Sequence, residues 1–510
     1  MGMTRPSAAA LVAWLAVLLG YVVVVNGDNF NYKEALTKSL IFLEAQRSGK
    51  LPLNHRVAWR GDSCLNDGKE ANMDLVGGYY DAGDNVKYGL PMAFTVTTLA
   101  WSAIVYNSEL KSAGELGNTQ AAIRWGTDYF LKAACKRNKL YVQVGDPEKE
   151  HQCWVRPENM KHPRPVLEIN EKTPGTEIAA ETSAALAASS IVFRRIDRPY
   201  ARRLLNKAKM VPTYAVLIVS FRHVWLCLCC CWQLFKFARE HKGSFDGECP
   251  FYCSFSGYHD ELLWAAAWLY SATRDRTYFK YVTEEALHAV VDEFNWDLKY
   301  AGVQILLSKS FFQGGRDMQA YKEHADSFIC SALPQSPYHK IPMTPAGLVH
   351  LRDGANLQYA TGISFLFSIY GDLLQRFNQK VQCGDKRFDS THLLAFAKHQ
   401  MDYILGQNPQ GRSYMVGFGK NPPKQAHHRG ASIPLSDANS EVNCPMSFVR
   451  WYNKNTPNPN ELTGAILGGP DNHDKFNDER WSSVYTEPCT YINSLAVGAL
   501  AKLTRPLPVK

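Results

Sequence analysis

At 510 residues, 46% apolar and 12% aromatic, the chain can bury a large core, either as two to four domains or as one large barrel. Its net charge of +8 arises from 56 basic and 48 acidic residues spread along the chain, with no Lys/Arg block of the kind that tracks phosphates, so no nucleic-acid partner is expected. A mildly basic surface suits an acidic surrounding matrix such as a pectin-containing wall.

The chain opens with Arg5, an apolar run over residues 8–25, then Asn26 and Gly27. The short charged start and the small residues at the end of the run predict a signal peptide over residues 1–27, cut after Gly27. A signal anchor is the rival reading, because the run is long enough to span a bilayer. We therefore expect one domain over residues 28–510, secreted to the extracellular space or cell wall, free of the membrane and monomeric. Disulfides are permitted there. Of 13 cysteines, Cys227, Cys229, Cys230 and Cys231 fall in one short window. The other nine lack zinc-site spacing, their odd number leaves at least one free thiol, and their pairing is open.

Apolar residues at three- and four-residue spacing predict helices over 93–106, 121–132, 176–195, 260–273, 284–293, 357–374 and 391–405. Strand-like alternation is sparse. Long Gly-, Pro-, Asn- and Asp-rich loops cover 54–85, 145–175 and 406–477, and loops of that length in an ordered domain usually carry function. The pattern is that of one large all-α domain with its chemistry on loops.

Three segments carry chemistry-bearing residues. In the first, Asp81 and Asp84 stand three apart in a Gly-rich turn beside Tyr79 and Tyr80. A fixed carboxylate can activate water while a second acceptor holds the water's other hydrogen, although such a turn also serves simply to cap a helix. The second holds His427 and Arg429, two apart; on an extended strand both would point the same way and donate to sugar hydroxyls. The third runs through Asp478 to Glu487-Pro488, where the proline keeps Glu487 extended and flanking aromatics favour a raised pKa, as a general acid requires.

Together the Asp-Ala-Gly-Asp turn, the His-x-Arg loop and the Asp-x8-Glu-Pro tail resemble glycoside hydrolase family 9, the plant endoglucanases. The segments Tyr141–Asp146, Trp154–Glu158, Cys249–Ser254, Asp260–Trp264 and Leu405–Pro409 continue the resemblance in order, over about residues 30–503. The resemblance implies an (α/α)6 barrel whose long loops form an open substrate cleft. It also implies inverting endo-hydrolysis of β-1,4-glucosidic linkages in cellulose and related β-glucans, with carboxyl groups roughly 6.5–9.5 Å apart. Asp84 then acts as base, Asp81 positions the water, Glu487 is the acid and Asp478 supports the acid's loop. His427, Arg429 and Tyr80 face the sugar. No cofactor is needed for the chemistry. A structural calcium is implied at Ser256, Gly257, Asp260, Glu261 and Asp297, where a helix N-cap explains Ser256 and Asp260 equally well.

The chain departs from the family pattern at Ala426, Ser483 and Cys489, none of which removes a reacting group. A larger departure is residues 211–233, nearly all apolar and carrying the four clustered cysteines between two amphipathic segments, 201–210 and Leu234–Glu240. Pro212 would break a helix running through them. The 23 residues equal 69 nucleotides, open on a Val codon and close on Gln, as a retained intron would. A surface insertion and a membrane-inserting hairpin are the competing explanations. Two functional alternatives remain: a hydrolase acting mainly on xylan or mixed-linkage glucan, and a wall-binding protein whose turnover the insert has abolished.

Overall fold

A helix built mostly of Ala, Ser, Thr, Gly and large apolar residues can be buried on every side, whereas one with a charged stripe must keep that stripe in water. The computed structural model, which describes residues 30–161, 163–209, 233–286, 291–438 and 440–506, sorts its helices by this rule. In chain order the helices of the barrel are α1 (Tyr32–Ala45), α2 (Gly89–Val105), α3 (Leu116–Ala133), α4 (Thr176–Phe193), α5 (Arg198–Ala208), α6 (Leu234–Glu240) and α7 (His259–Thr273). There follow α8 (Arg276–Glu284), α9 (Tyr300–Phe312), α10 (Gln319–Ala332), α11 (Leu357–Phe377), α12 (Ser390–Leu405) and α13 (Thr490–Leu503).

Helices α2, α4, α7, α9, α11 and α13 pack on one another in that order and α13 closes back on α2, forming an inner ring. The outer layer is α1 on α13, α3 on α2, α5 and α6 on α4, α8 on α7, α10 on α9 and α12 on α11. This is the (α/α)6 barrel expected. Its centre is filled by Trp101, which meets Trp264, Trp268 and Phe365 edge-on with ring centroids 5.6, 5.7 and 5.1 Å away. The loops entering the inner helices gather at one end of the barrel, and the last turns of α2, α4, α7, α9 and α11 gather at the other.

A small antiparallel sheet frames the first end. Strand β1 (Lys87–Tyr88) pairs with β2 (Lys139–Val144), Lys87 opposite Val144, and β2 pairs with β3 (Val166–Asn170), Leu140 opposite Ile169. Because β1 runs directly into α2, the 81–84 turn is fixed at the barrel mouth. A hairpin of β4 (Val381–Cys383) and β5 (Lys386–Phe388) lies on the outer wall. Disulfides join Cys153 to Cys444, Cys249 to Cys253 and Cys330 to Cys383, while among the described residues Cys64, Cys135 and Cys489 are free thiols.

The helix expected over 284–293 is displaced. Asp275 accepts a hydrogen bond from the Thr277 N–H and starts α8 earlier; α8 ends at Glu284, and residues 285–286 and 291–293 are not helical. Residues 287–290 lie outside the described residues, as do the leader at 1–27 and the insert at 211–232. Beside that insert, α5 ends at Ala208, whose carbonyl accepts from Ser183 Oγ at 2.9 Å, and Gln233 precedes α6 in an extended, buried conformation. Among the described residues no single helix is long and apolar enough to cross a membrane.

Candidate active site

The 81–86 turn is braced from several sides. The Asp81 N–H donates to the Val86 carbonyl at 3.2 Å, the Val86 N–H to Asp84 Oδ1 at 3.2 Å, and Gln46 Nε2 to the Ala82 carbonyl at 2.6 Å. Glu150 Oε1 accepts from the Asn85 N–H at 2.8 Å. The Asp84 carboxyl therefore cannot swing away. His151 Nε2 lies 3.4 Å from its Oδ2. Asp81 is buried, accepts a hydrogen bond from the Tyr252 hydroxyl on Oδ2, and has no partner on Oδ1 among the described residues. Burial pushes its carboxyl well above the usual range, with the Tyr252 hydroxyl opposing and the charges of Asp84 and Glu487 adding to the shift.

Glu487 reaches this turn from the far end of the chain. It leaves the short helix Ser483–Thr486 in an extended conformation, φ −86° and ψ 127°, as Pro488 requires. Its Oε1 accepts the Gly83 N–H at 3.0 Å. Burial, then repulsion from Asp84, raises its carboxyl to about 7, while the Gly83 N–H opposes that rise. A carboxyl protonated up to neutrality beside a second carboxyl can give a proton to one atom while its neighbour takes one from another.

Only glycine fits at position 83. A Cβ there would lie 2.0 Å from the His427 carbonyl oxygen and 2.9 Å from Glu487 Oε1. The close approach is locked by two further bonds: the Arg429 N–H donates to the Gly83 carbonyl, and the His427 N–H to the Thr486 carbonyl, both at 3.0 Å. The three segments read separately in the sequence thus meet as one knot.

His427 is half-buried, and its ring is shifted down to about 3 by burial and by Arg429, so it is neutral near pH 7. Its Nδ1–H donates to the Arg480 carbonyl at 2.8 Å, which leaves Nε2 to accept, rather than donate, a hydrogen bond from a sugar hydroxyl. Arg480 in turn spends its guanidinium on the Trp451, Lys454 and Thr456 carbonyls at 2.7–2.9 Å.

Arg429 does not point with His427. His428 Nδ1 accepts the Ala431 N–H at 3.0 Å and turns the chain into a short helix at Arg429, so the segment is not extended there. Arg429 is only 2% exposed, its Nη2 donates to the Glu150 carbonyl at 3.2 Å, and its guanidinium lies over the Trp154 ring. It braces the turn from beneath. Tyr80 also departs from expectation: it is 2% exposed, donates its hydroxyl to Ser63 Oγ at 2.9 Å, and lies in the core behind the cleft. Asp478 accepts the Lys424 and Gln425 N–H groups at 2.7 and 3.0 Å, and so ties its own loop, which leads to Glu487, to the loop leading to His427.

The five residues expected to hold calcium are gathered, but protein donors engage them. Ser256 Oγ donates to Asp260 Oδ1 at 3.2 Å and to the Asp297 carbonyl at 2.7 Å, and Asp297 Oδ1 accepts the Phe255 and Ser256 N–H groups. The Gly257 carbonyl accepts from Ser254. Lys299 donates its N–H to Asp260 Oδ2 and its Nζ to Glu261 Oε1, at 2.7 and 2.8 Å. Among the described residues no three His, Cys, Asp or Glu side chains are grouped to hold a metal. As arranged the set does not fit the ion.

Asp81, Asp84 and Glu487 line an open cavity of about 390 Å³ whose walls include Phe251, Phe255, Trp296 and Tyr359. Aromatic faces at the edge of a polar trough suit the apolar faces of pyranose rings. His151, Gln46, Glu150, Tyr252 and Arg480 escaped the sequence reading as site residues. Tyr252 alone had a signal, the Cys249–Ser254 motif, whereas Arg480 acts through a backbone carbonyl that no side-chain pattern reveals.

An (α/α)6 barrel with a neutral-range carboxyl acid beside a second carboxyl, at the floor of an aromatic-walled cleft, belongs to the class of acid/base glycan hydrolases. The sequence model of Glycosyl hydrolase family 9 matches residues 32–500, and the chain belongs to that family. It is 67% identical over 482 residues to Endoglucanase 16 of Arabidopsis thaliana, covering 94% of each chain. It is 58% identical over 506 residues to Endoglucanase 8 of Oryza sativa subsp. japonica, covering 98% of this chain and 96% of the relative. An endoglucanase structure from the termite Nasutitermes takasagoensis superposes with a TM-score of 0.79 at 37% identity, over 93% of this chain and 99% of that one.

Proposed function

We propose that this chain is an endo-β-1,4-glucanase that hydrolyses cellulose-like β-glucans with inversion. The observation that carries the reading is Glu487, held on the Gly83 N–H with its pKa raised to about 7, in the same knot as Asp84. In this scheme a glucan lies along the aromatic wall, and Glu487 gives its proton to the leaving glycosidic oxygen. Asp84 takes a proton from the water that attacks the anomeric carbon from the opposite face. Asp81, oriented by Tyr252, hydrogen-bonds the water through its free Oδ1 and holds it for Asp84. His427 Nε2 accepts from a sugar hydroxyl next to the cut bond, and neutrality of that ring avoids a further charge near the acid.

The reaction needs no cofactor. Calcium at Ser256 and Asp297 would have to displace the donors now bound there, and a higher melting temperature on adding calcium to chelator-treated protein would establish such a site. The same reading has residues 1–27 removed on secretion, the monomer working in the wall, and residues 211–233 arising from a retained intron. Reducing-end release from carboxymethylcellulose, barley glucan and xylan tests the substrate, and β-glucan should be cut fastest. Proton NMR of the products should show the α-anomer first; initial β-product, or preferred cleavage of xylan, overturns the mechanism or the substrate respectively.

A further inference from the structure

At the end of the barrel away from the cleft, the last turns of α2, α4, α7, α9 and α11 surround a cavity of about 400 Å³. Arg274, Lys309 and Arg376 lie on its rim. A second depression of about 510 Å³ adjoins it, sharing the C-terminal ends of α4 and α7, and is lined by Arg194, Arg198, Arg202 and Lys209. These cations come from five helices spread between residues 194 and 376, so only the fold brings them together. A cation at a helix C-terminus is favoured by the helix dipole, which accounts for Arg194, Lys209, Arg274, Lys309 and Arg376 singly but not for Arg198 and Arg202, in the first half of α5. It does not explain why seven meet on one face whose lining holds only two carboxylates, Glu109 and Asp372.

None of the seven forms an ion pair with another described residue. The acids nearby are engaged elsewhere. Asp197 pairs with Arg124 at 2.8 Å, Glu109 with Arg505 at 3.0 Å, Asp372 with Lys502, and Asp275 caps α8. Arg194 makes one neutral bond, to the Ala272 carbonyl. Crowding is real enough to be felt: burial, then Arg376 and Arg274, lower the Lys309 ammonium from its ordinary range. A face of this kind lacks an anion, and several anions at spaced intervals would satisfy it better than one.

We infer that this basic end of the barrel is a docking face for a linear polyuronate, an acidic polysaccharide carrying one carboxylate per sugar. Arginine forks match carboxylates in geometry as well as charge. Residues lining the arginine-rich depression include no aromatic side chain on which nucleic-acid bases would stack. Membrane docking would want exposed apolar anchors, and Ile196 is the large one near the patch. Bound by this end, the enzyme keeps its cleft turned outward and free for glucan, held near its substrate by a different polymer. The inference stands apart from the catalytic reading, since an inactive enzyme would dock equally well.

The full-length protein is titrated with polygalacturonic acid, fully methyl-esterified pectin, duplex DNA and phosphatidylserine vesicles. Polygalacturonate should bind, weakening about ten-fold or more between roughly 50 and 200 mM NaCl as a multi-charge contact does. The esterified polymer should not bind. The triple variant Arg198→Gln, Arg202→Gln, Lys209→Gln and the double variant Arg274→Gln, Arg376→Gln should each weaken binding about five-fold or more. Both should melt like the parent and turn over a neutral cello-oligosaccharide at the parent rate. Equal binding of the esterified polymer, unchanged affinity in both variants, or tighter binding of DNA or vesicles would each overturn the inference.

Discussion

The knot at the barrel mouth and the outer layer at α5 and α6 are held in opposite ways. At the knot, residues 46, 82, 83, 427, 429, 480 and 487 are joined by hydrogen bonds spanning as much as 404 positions of sequence, several of them through backbone atoms. At α5 and α6, attachment is mostly one apolar stripe: Tyr200, Ala201, Leu204 and Ala208, then Leu234, Phe235, Phe237 and Ala238, laid on α4. A cross-braced site fixes atoms to within the tolerance chemistry demands, and it loses everything when one brace fails. A layer held by one face tolerates change wherever that face is preserved. The two regions should therefore differ sharply in what a substitution costs.

The largest effect is expected at the reacting groups. Glu487→Gln keeps the acceptor oxygen for the Gly83 N–H but cannot supply a proton, so turnover should fall about 100-fold or more while glucan binding persists. Asp84→Asn should be equally severe. Retention of more than about a tenth of the parent rate in steady-state assays would remove either residue from its role. Next comes Gly83→Ala, which touches no substrate. Its methyl collides with the His427 carbonyl and with Glu487, so we expect a loss of about 10- to 100-fold in kcat together with a lower melting temperature. An unaffected rate would mean that the knot is looser than its hydrogen bonds imply.

A smaller effect is set by pH. Glu487 must be protonated to act, and its carboxyl sits at about 7 in the folded protein against an ordinary value of 4.5. The rate should thus hold through weakly acidic pH and fall as pH rises through about 7, approaching ten-fold per unit above it. A descending limb near 4.5 would show that burial does not raise this carboxyl. Residual activity of Asp84→Asn sharpens the point, because removing the neighbouring charge should move that limb to lower pH.

The carboxylates and the histidine proposed to act in the knot stood out in the sequence because such chemistry restricts residue type to a few side chains in fixed motifs. Its bracing did not. Arg480 and Gly83 act through main-chain atoms, and Tyr80 and Tyr252 are both tyrosines whose placement only tertiary packing decides: one turns into the core, the other onto Asp81. Periodicity found α2, α3, α4, α7, α11 and α12 and the amphipathic segments at α5 and α6, but passed over α1, α8, α9, α10 and α13. Of these, α9 and α13 are apolar or small nearly all round and so present no stripe to detect. Within the helix expected over 284–293, the described residues 285–286 and 291–293 are not helical: Glu293, a good helix former, is drawn onto Arg352 at 2.6 and 2.7 Å.

The smallest effect on turnover is expected from the largest change, deletion of residues 211–233. The described ends of α5 and α6 both rest on α4, and their buried residues Leu204, Ala208, Leu234, Phe235 and Ala238 continue one amphipathic pattern when the segment is removed from the sequence. None of the residues in the knot lies between 211 and 233, so activity per folded molecule should be unchanged. The segment's apolar composition and its four cysteines favour association and intermolecular disulfides in an oxidising compartment. Removing it should therefore raise secreted yield and melting temperature, read by expression level and thermal denaturation, and transcripts lacking the 69 nucleotides should be found. If the shortened chain fails to fold while the full-length protein is secreted and stable, the segment is an integral part of the outer layer. In that case the contrast between a cross-braced site and a tolerant outer wall does not hold there.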